Sequence, residues 1–178
     1  NLLAQLNTQV DLEAVGQAAS VFMPGTVSLT GQRQVSLDFA STYPFNDPNG
    51  LLANLNGKTS LGFDSAEYKG LAFGPTQIDI QIEQGIMHIR PFTTTVNNGK
   101  LNFVGQVDLS KTPLLLKTTA PLQVVQGIQI TDKMTGSFLQ YVNPIFADAV
   151  NVRGVLDFET QSMTIPLTSG HGRTAQLD

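Results

Sequence analysis

From its second residue onward the chain alternates apolar and polar side chains with a period of two. Leu2, Ala4, Leu6 and Val10 interleave with Leu3, Gln5, Asn7 and Gln9. Such alternation sends one set of side chains to a core and the other to solvent, so it specifies strands of an antiparallel sheet rather than helices. The pattern returns at Val27, Leu29, Val35, Leu37 and Phe39 across Gly31. It returns again at Leu51, Ala53, Leu55, Leu61 and Phe63 across Gly57. A glycine midway along such a run predicts a bulge or bend that lets a long strand curve. Ile78, Ile80 and Ile82 make a short strand, and Gln84-Gly85 turns the chain into Ile86–Thr95. Asn97-Asn98-Gly99 predicts a tight hairpin, because these residues tolerate positive φ. Leu101, Phe103, Gly105, Val107 and Leu109 follow, then Leu114 and Leu116, Val124–Ile130, Val152–Phe158 and Met163–Leu167. The expected architecture is mainly β: a curved antiparallel sheet or open half-barrel of about ten strands.

Two segments break the period and predict helices packed on the sheet. Asp11 can cap a helix from Leu12 to about Phe22, with Leu12, Val15, Ala18, Ala19 and Phe22 on one face and Pro24-Gly25 ending it. Thr131 or Asp132 can cap a second helix, running to Val142 with Met134, Phe138, Tyr141 and Val142 on one stripe. Asn143-Pro144 breaks it and suits a further short helix through Ala149. Helix followed by a glycine-holding strand occurs twice, at Gly31 and Gly154, a faint sign of internal duplication. The Pro- and Asn-rich loop Ser41–Gly50 reads as a mobile surface segment. Residues 1–167 are expected to form one β-rich domain, and 168–178 a flexible tail.

Composition narrows the classes. Apolar residues make up 41% of the 178, enough for a core, but charged residues only 13%. Thr, Gln, Asn and Ser must therefore supply the polar surface. The net charge of -4 argues against nucleic acid, which calls for a basic footprint. Cysteine is absent, which excludes disulfides and thiolate metal sites. No apolar run is long enough to cross a membrane as a helix. An opening at Asn1 with no leader pattern reads as a piece of a longer protein.

Catalytic chemistry leaves little trace, and the chain is not expected to be an enzyme or to need a cofactor or metal. His88 lies mid-strand on the face opposite Met87 and Ile89, as a solvent-facing histidine would. His171 sits in the glycine-flanked tail. Asp79 and Glu83 share a strand face about 13 Å apart, too far to act as an acid–base pair. Asp157 and Glu159 alternate with Leu156 and Phe158 as a solvated face. There is no nucleophile elbow, calcium loop or phosphate loop.

The run Leu139-Gln140-Tyr141-Val142-Asn143-Pro144-Ile145-Phe146-Ala147-Asp148-Ala149, followed by Val152–Phe158 and Thr164–Leu167, resembles the AsmA-like family of bacterial envelope proteins. So do the Leu101–Leu109 strand, with its apolar-Gly-apolar-Asp-Leu pattern, and the block from Val10 through Pro24-Gly25 to Gly31. The resemblance spans most of Leu2–Leu167 and carries structural motifs only, with no catalytic signature. It implies a periplasmic location, a parent protein tethered to the inner membrane by a helix outside this sequence, and a role in outer-membrane biogenesis or lipid transport. The fragment is much shorter than a member that bridges two membranes, so any groove here is one segment.

The expected site is an apolar trough formed by Val27, Leu29, Val35, Leu37, Phe39, Leu101, Phe103 and Val107, with a phospholipid or other acyl ligand and the rest of the parent protein as partners. Those same residues also read as ordinary core. Arg33 shares their face, so it must reach the rim or mark a headgroup end. Two other classes fit the composition: a secreted β-sandwich for adhesion or glycan binding, with Tyr43, Tyr68 and Tyr141 as its aromatics, and a structural spacer.

Overall fold

The alternation becomes strand throughout. The computed structural model describes residues 2–22, 27–42, 48–118, 121–139, 152–167 and 176–177. Strand β1 (Leu2–Asp11) runs into helix α1 (Leu12–Phe22), then β2 (Val27–Thr30) and β3 (Gln32–Ser41). Helix α2 (Pro48–Ala53) precedes β4 (Leu55–Phe63), β5 (Ser65–Tyr68), β6 (Leu71–Phe73), β7 (Thr76–Glu83), β8 (Ile86–Val96), β9 (Gly99–Asp108), β10 (Leu115–Lys117) and β11 (Leu122–Gln129). One α-helical turn, α3 (Asp132–Met134), opens into a π-helical turn (Thr135–Leu139), and β12 (Val155–Thr160), β13 (Met163–Pro166) and β14 (Gln176–Leu177) follow. Strand is the dominant element among the described residues and helix a minor one. All fourteen strands join one antiparallel sheet that does not close into a barrel.

The sheet forks. Its main path runs β1-β3-β4-β7-β8-β9-β10-β13-β14. A second wing leaves the far end of the central β8–β9 hairpin, where Val96 pairs with Phe73 of β6 and Leu101 with Val125 of β11. Strands β5, β2 and β12 extend that wing. The principal core lies there: Val96, Ile128 and Met134 are sealed, with Leu71, Phe73, Leu101, Val125 and Leu156 packed around them.

Local chemistry explains the joints. Asn97 and Asn98 adopt positive φ at the β8–β9 turn, as do Gln84-Gly85 and Lys69-Gly70 at two others. Gly31, at φ +118°, is where the chain leaves the β2–β5 ladder for the β1–β3–β4 ladder, and a Cβ there would strike Asp64 Oδ2 at 2.7 Å. It separates two strands rather than bending one, whereas β4 passes through Gly57 unbroken. Arg90-Pro91 occupies a register shift between Ile89 and Phe92, so the same face is kept on both sides of it.

Several expectations need correction. Among the described residues there are fourteen strands rather than about ten, because β5, β6 and β14 are too short for period two to reveal and Gly31 divides one expected run into β2 and β3. Leu51 and Ala53 belong to α2 rather than a strand. Pro48 at the first helical position favours that turn, and Asn54 closes it by donating from its amide and side chain to Gly50 O. Ser41 is buried as the last residue of β3, and residues 43–47 of its loop lie outside the described residues. The Asp11 cap forms, with Glu13 N donating to Oδ1 at 3.0 Å. On α1, however, Val15 is exposed, and Gly16 faces Val27 and Leu29 of β2. Thr131 caps α3, accepting from Met134 N. The expected α-helix widens after one turn. Ser137 Oγ lies against the carbonyls of Lys133 and Lys69 and so competes with the backbone ladder. The side chain of Phe138, and residues 140–150 with their expected second break and helix, lie outside the described residues. So do His171 and Tyr43.

Candidate functional site

In an antiparallel ladder, directly opposed residues project to the same face, so the registers assign faces strand by strand. One row runs Ala4–Phe39–Gly57–Ile82–Met87–Val107–Leu116–Ile165, from β1 to β13. The neighbouring row runs Leu6–Leu37–Thr59–Ile80–Ile89–Gly105. Both are apolar apart from Thr59. The rows between them, on the other face, are polar: Gln5–Asp38–Lys58–Gln81–His88–Gln106–Lys117 is the longest. The main path is therefore an amphipathic sheet.

Six of the eight expected trough residues share the apolar face: Val35, Leu37, Phe39, Leu101, Phe103 and Val107. Phe103 packs against Phe92 across the hairpin, with ring centroids 6.1 Å apart. Leu101 packs, partly buried, against the principal core, and Val107 is fully buried and so closed to a ligand. Val27 and Leu29 lie apart from this face, on β2 under α1.

The apolar face is covered unevenly. Among the described residues the buried apolar side chains are Val96, Val107, Val124, Ile128, Met134 and Met163. None lies on β1, β3, β4 or β7. On those strands Leu6 is 54% exposed and Leu61 42%, while Val35, Leu37, Phe39, Ile78, Ile80 and Ile82 are half-buried. Thr59 Oγ1 is enclosed there without a hydrogen-bond partner. A stranded hydroxyl costs about 1–3 kcal/mol, which an isosteric methyl removes. Thr59→Val is expected to raise the melting temperature by a few degrees, read by calorimetry. An unchanged or lowered value would show that the hydroxyl finds a partner in solution.

Arg33 stands at the strand end, where it forms an ion pair with Asp64 and donates to Gln32 O at 3.1 Å. It therefore takes the rim position, with its charge answered by a protein carboxylate.

A concavity of about 1030 Å³ among the described residues draws mostly on the other face, with Phe39, Ile80 and Ile82 also in its lining. Its walls include Gln5, Ser36, Asp38, Lys58, Ser60, Asp79, Gln81, Glu83 and Arg90. A second hollow holding His88 and Gln106 shares Asn56 and Glu83 with it. Arg90 donates to Gln81 Oε1, and Gln81 donates to Glu83. The Asp79 carboxyl is held below its usual range by the Ser60 hydroxyl and then the Gln77 amide. A carboxyl so held stays ionised at neutral pH and is unsuited to donating a proton. Sequence reading passed over this groove because its residues look individually like a solvated face, and their convergence depends on the shape of the sheet. Tyr68 is half-buried with Lys69 Nζ 5.5 Å from its ring, outside the groove.

Among the described residues, no cluster of three or more His, Asp or Glu is placed to hold a metal ion, and no helix is long and apolar enough to cross a membrane. No protein-family model, curated protein or solved structure matches the chain.

Proposed function

We propose that this chain is a non-catalytic segment of an AsmA-like envelope protein, periplasmic, whose sheet offers its apolar face to the acyl chains of phospholipid. The observation that carries this reading is the half-covered face of β1, β3, β4 and β7, where Leu6, Leu37, Ile80 and Ile82 line up with no sealed core beneath them. At about 25 cal/mol per Å² of apolar surface, such a face gains from any apolar cover. Its charge-free rows suit an acyl chain, and Arg33 at the rim leaves them so. The parent protein, tethered to the inner membrane, would continue the surface toward the outer membrane.

Photo-crosslinkers at Leu37 and Phe103, with Lys58 on the opposite face as control, test this in the full-length protein within bacterial membranes. Phospholipid adducts are expected at Leu37 and Phe103 and not at Lys58. Lipid at none of the three positions would overturn the reading and leave a structural spacer. A second reading, a glycan-binding module, is favoured by the groove beside Lys58, where Gln5, Ser36, Ser60 and Gln81 stand among Asp38, Asp79, Glu83 and Arg90. Adducts with saccharide at Lys58 alone would support it.

A further inference from the structure

We propose that the groove on the polar face binds an extended, uncharged, β-1,4-linked oligosaccharide laid across the strands. This rests on the glycan reading and is independent of the lipid reading, which concerns the opposite face. The side chains of the groove and its adjoining hollow divide into two sets. One set is tied together: Arg90 donates to Gln81, Gln81 donates to Glu83, and the Gln77 amide donates to Asp79 Oδ1 at 3.3 Å. The other set is Asp38, Lys58, His88 and Gln106. Among the described residues none of these four side chains makes a hydrogen bond or an ion pair, although Asp38 and Lys58 stand directly opposite each other on β3 and β4. Asp38, His88 and Gln106 are also half-buried. A polar group partly withdrawn from water with no protein partner carries a cost that a hydrogen-bonding ligand removes.

The placement of these groups gives the ligand its shape. Asp38, Lys58, Gln81, His88 and Gln106 oppose one another in succession from β3 to β9, forming one straight row across the interior of the sheet. Neighbouring strands lie about 4.8 Å apart, so the row presents a polar group at each such step over roughly 19 Å. One unit of an extended β-1,4-linked hexose chain is close to that step in length, so successive units meet successive strands. A curled α-1,4-linked chain does not keep that pace. The chemistry of the row gives the ligand its charge. Asp38 accepts, Lys58 donates and Gln106 does both, and a sugar hydroxyl can answer each of them. The groove walls hold three carboxylates, Asp38, Asp79 and Glu83, against two cations, Lys58 and Arg90. Such a near balance favours neither a polyanion nor a polycation.

Calorimetric titration of the full-length protein with four probes tests this: cellohexaose, cellobiose, maltohexaose and the polyanionic β-1,4-linked hexamannuronate. Cellohexaose is expected to bind, and each of the other three to bind at least tenfold more weakly. Asp38→Ala and Gln106→Ala should each weaken cellohexaose about tenfold with circular dichroism unchanged. Glu159→Ala, exposed on β12 outside the groove, is the control and should leave the affinity as it was. Maltohexaose or hexamannuronate binding as tightly as cellohexaose would overturn the proposal, as would an affinity that both groove variants leave intact. Absence of cellohexaose binding would overturn it too. If saccharide adducts still formed at Lys58, the glycan reading would stand and only the ligand assigned here would fall; without them both would fall.

Discussion

Replacing Gly99 with alanine is expected to cost about 3 kcal/mol and to lower the melting temperature by about 6–12 °C. Gly99 opens β9 directly after the Asn97-Asn98 turn, and it is buried against β11. A Cβ there would lie 2.4 Å from Ile128 N, 2.5 Å from Gly127 C and 2.6 Å from Gln126 O. All three are backbone atoms, so no side chain can rotate away. The strands must separate instead, and this is the point where the second wing leaves the central hairpin. Separation would disturb Gln129 N donating to Asn97 O and the Gly127 N bond to Asp157 Oδ1. Gly127→Ala is the informative comparison. It has open space around its Cβ position but a positive φ of 66°, so it tests backbone strain alone and should cost about 1 kcal/mol. Thermal unfolding of both variants checks the ordering, and equal losses would mean that the crowding at Gly99 relaxes freely.

The same glycine shows where sequence reading reaches its limit. Asn97-Asn98-Gly99 announces a hairpin, and it forms with positive φ at both asparagines. The sequence does not reveal that Gly99 must also be small for a strand more than twenty residues away. Contacts of that kind follow from topology. The period-two pattern is legible because it is local, and it specifies the mainly β fold that forms. It could not say that β2 enters a different ladder from β3, so Val27 and Leu29 were grouped with residues they do not join. Nor could it separate half-covered positions such as Leu37 from sealed ones such as Val107, since both are apolar members of alternating runs. Leu51 and Ala53 fit the alternation by coincidence, and the helix-favouring Pro48 overrode it.

Met134→Ala is expected to lose about 3–4 kcal/mol, within the range for emptying a sealed apolar site. Met134 is fully buried and fills the space between Val96 and Ile128, the other sealed members of the principal core. Its helical turn is short and is held by Thr131 capping rather than by length, so packing of this one side chain anchors it. Met134 also has a polar partner. Asn97 Nδ2 lies 3.0 Å from its sulfur and 2.9 Å from Gly70 O, while Asn97 Oδ1 accepts from Ala72 N. The asparagine thereby ties the β8–β9 turn to the β5–β6 turn and to α3. Met134→Leu keeps most of the volume but leaves one Asn97 N–H without its acceptor, so it should cost about 1 kcal/mol. The two variants separate cavity from hydrogen bond in chemical denaturation. If Met134→Ala cost no more than Met134→Leu, the stability of the second wing would rest on the Asn97 tie instead of on the packing of Val96, Ile128 and Met134.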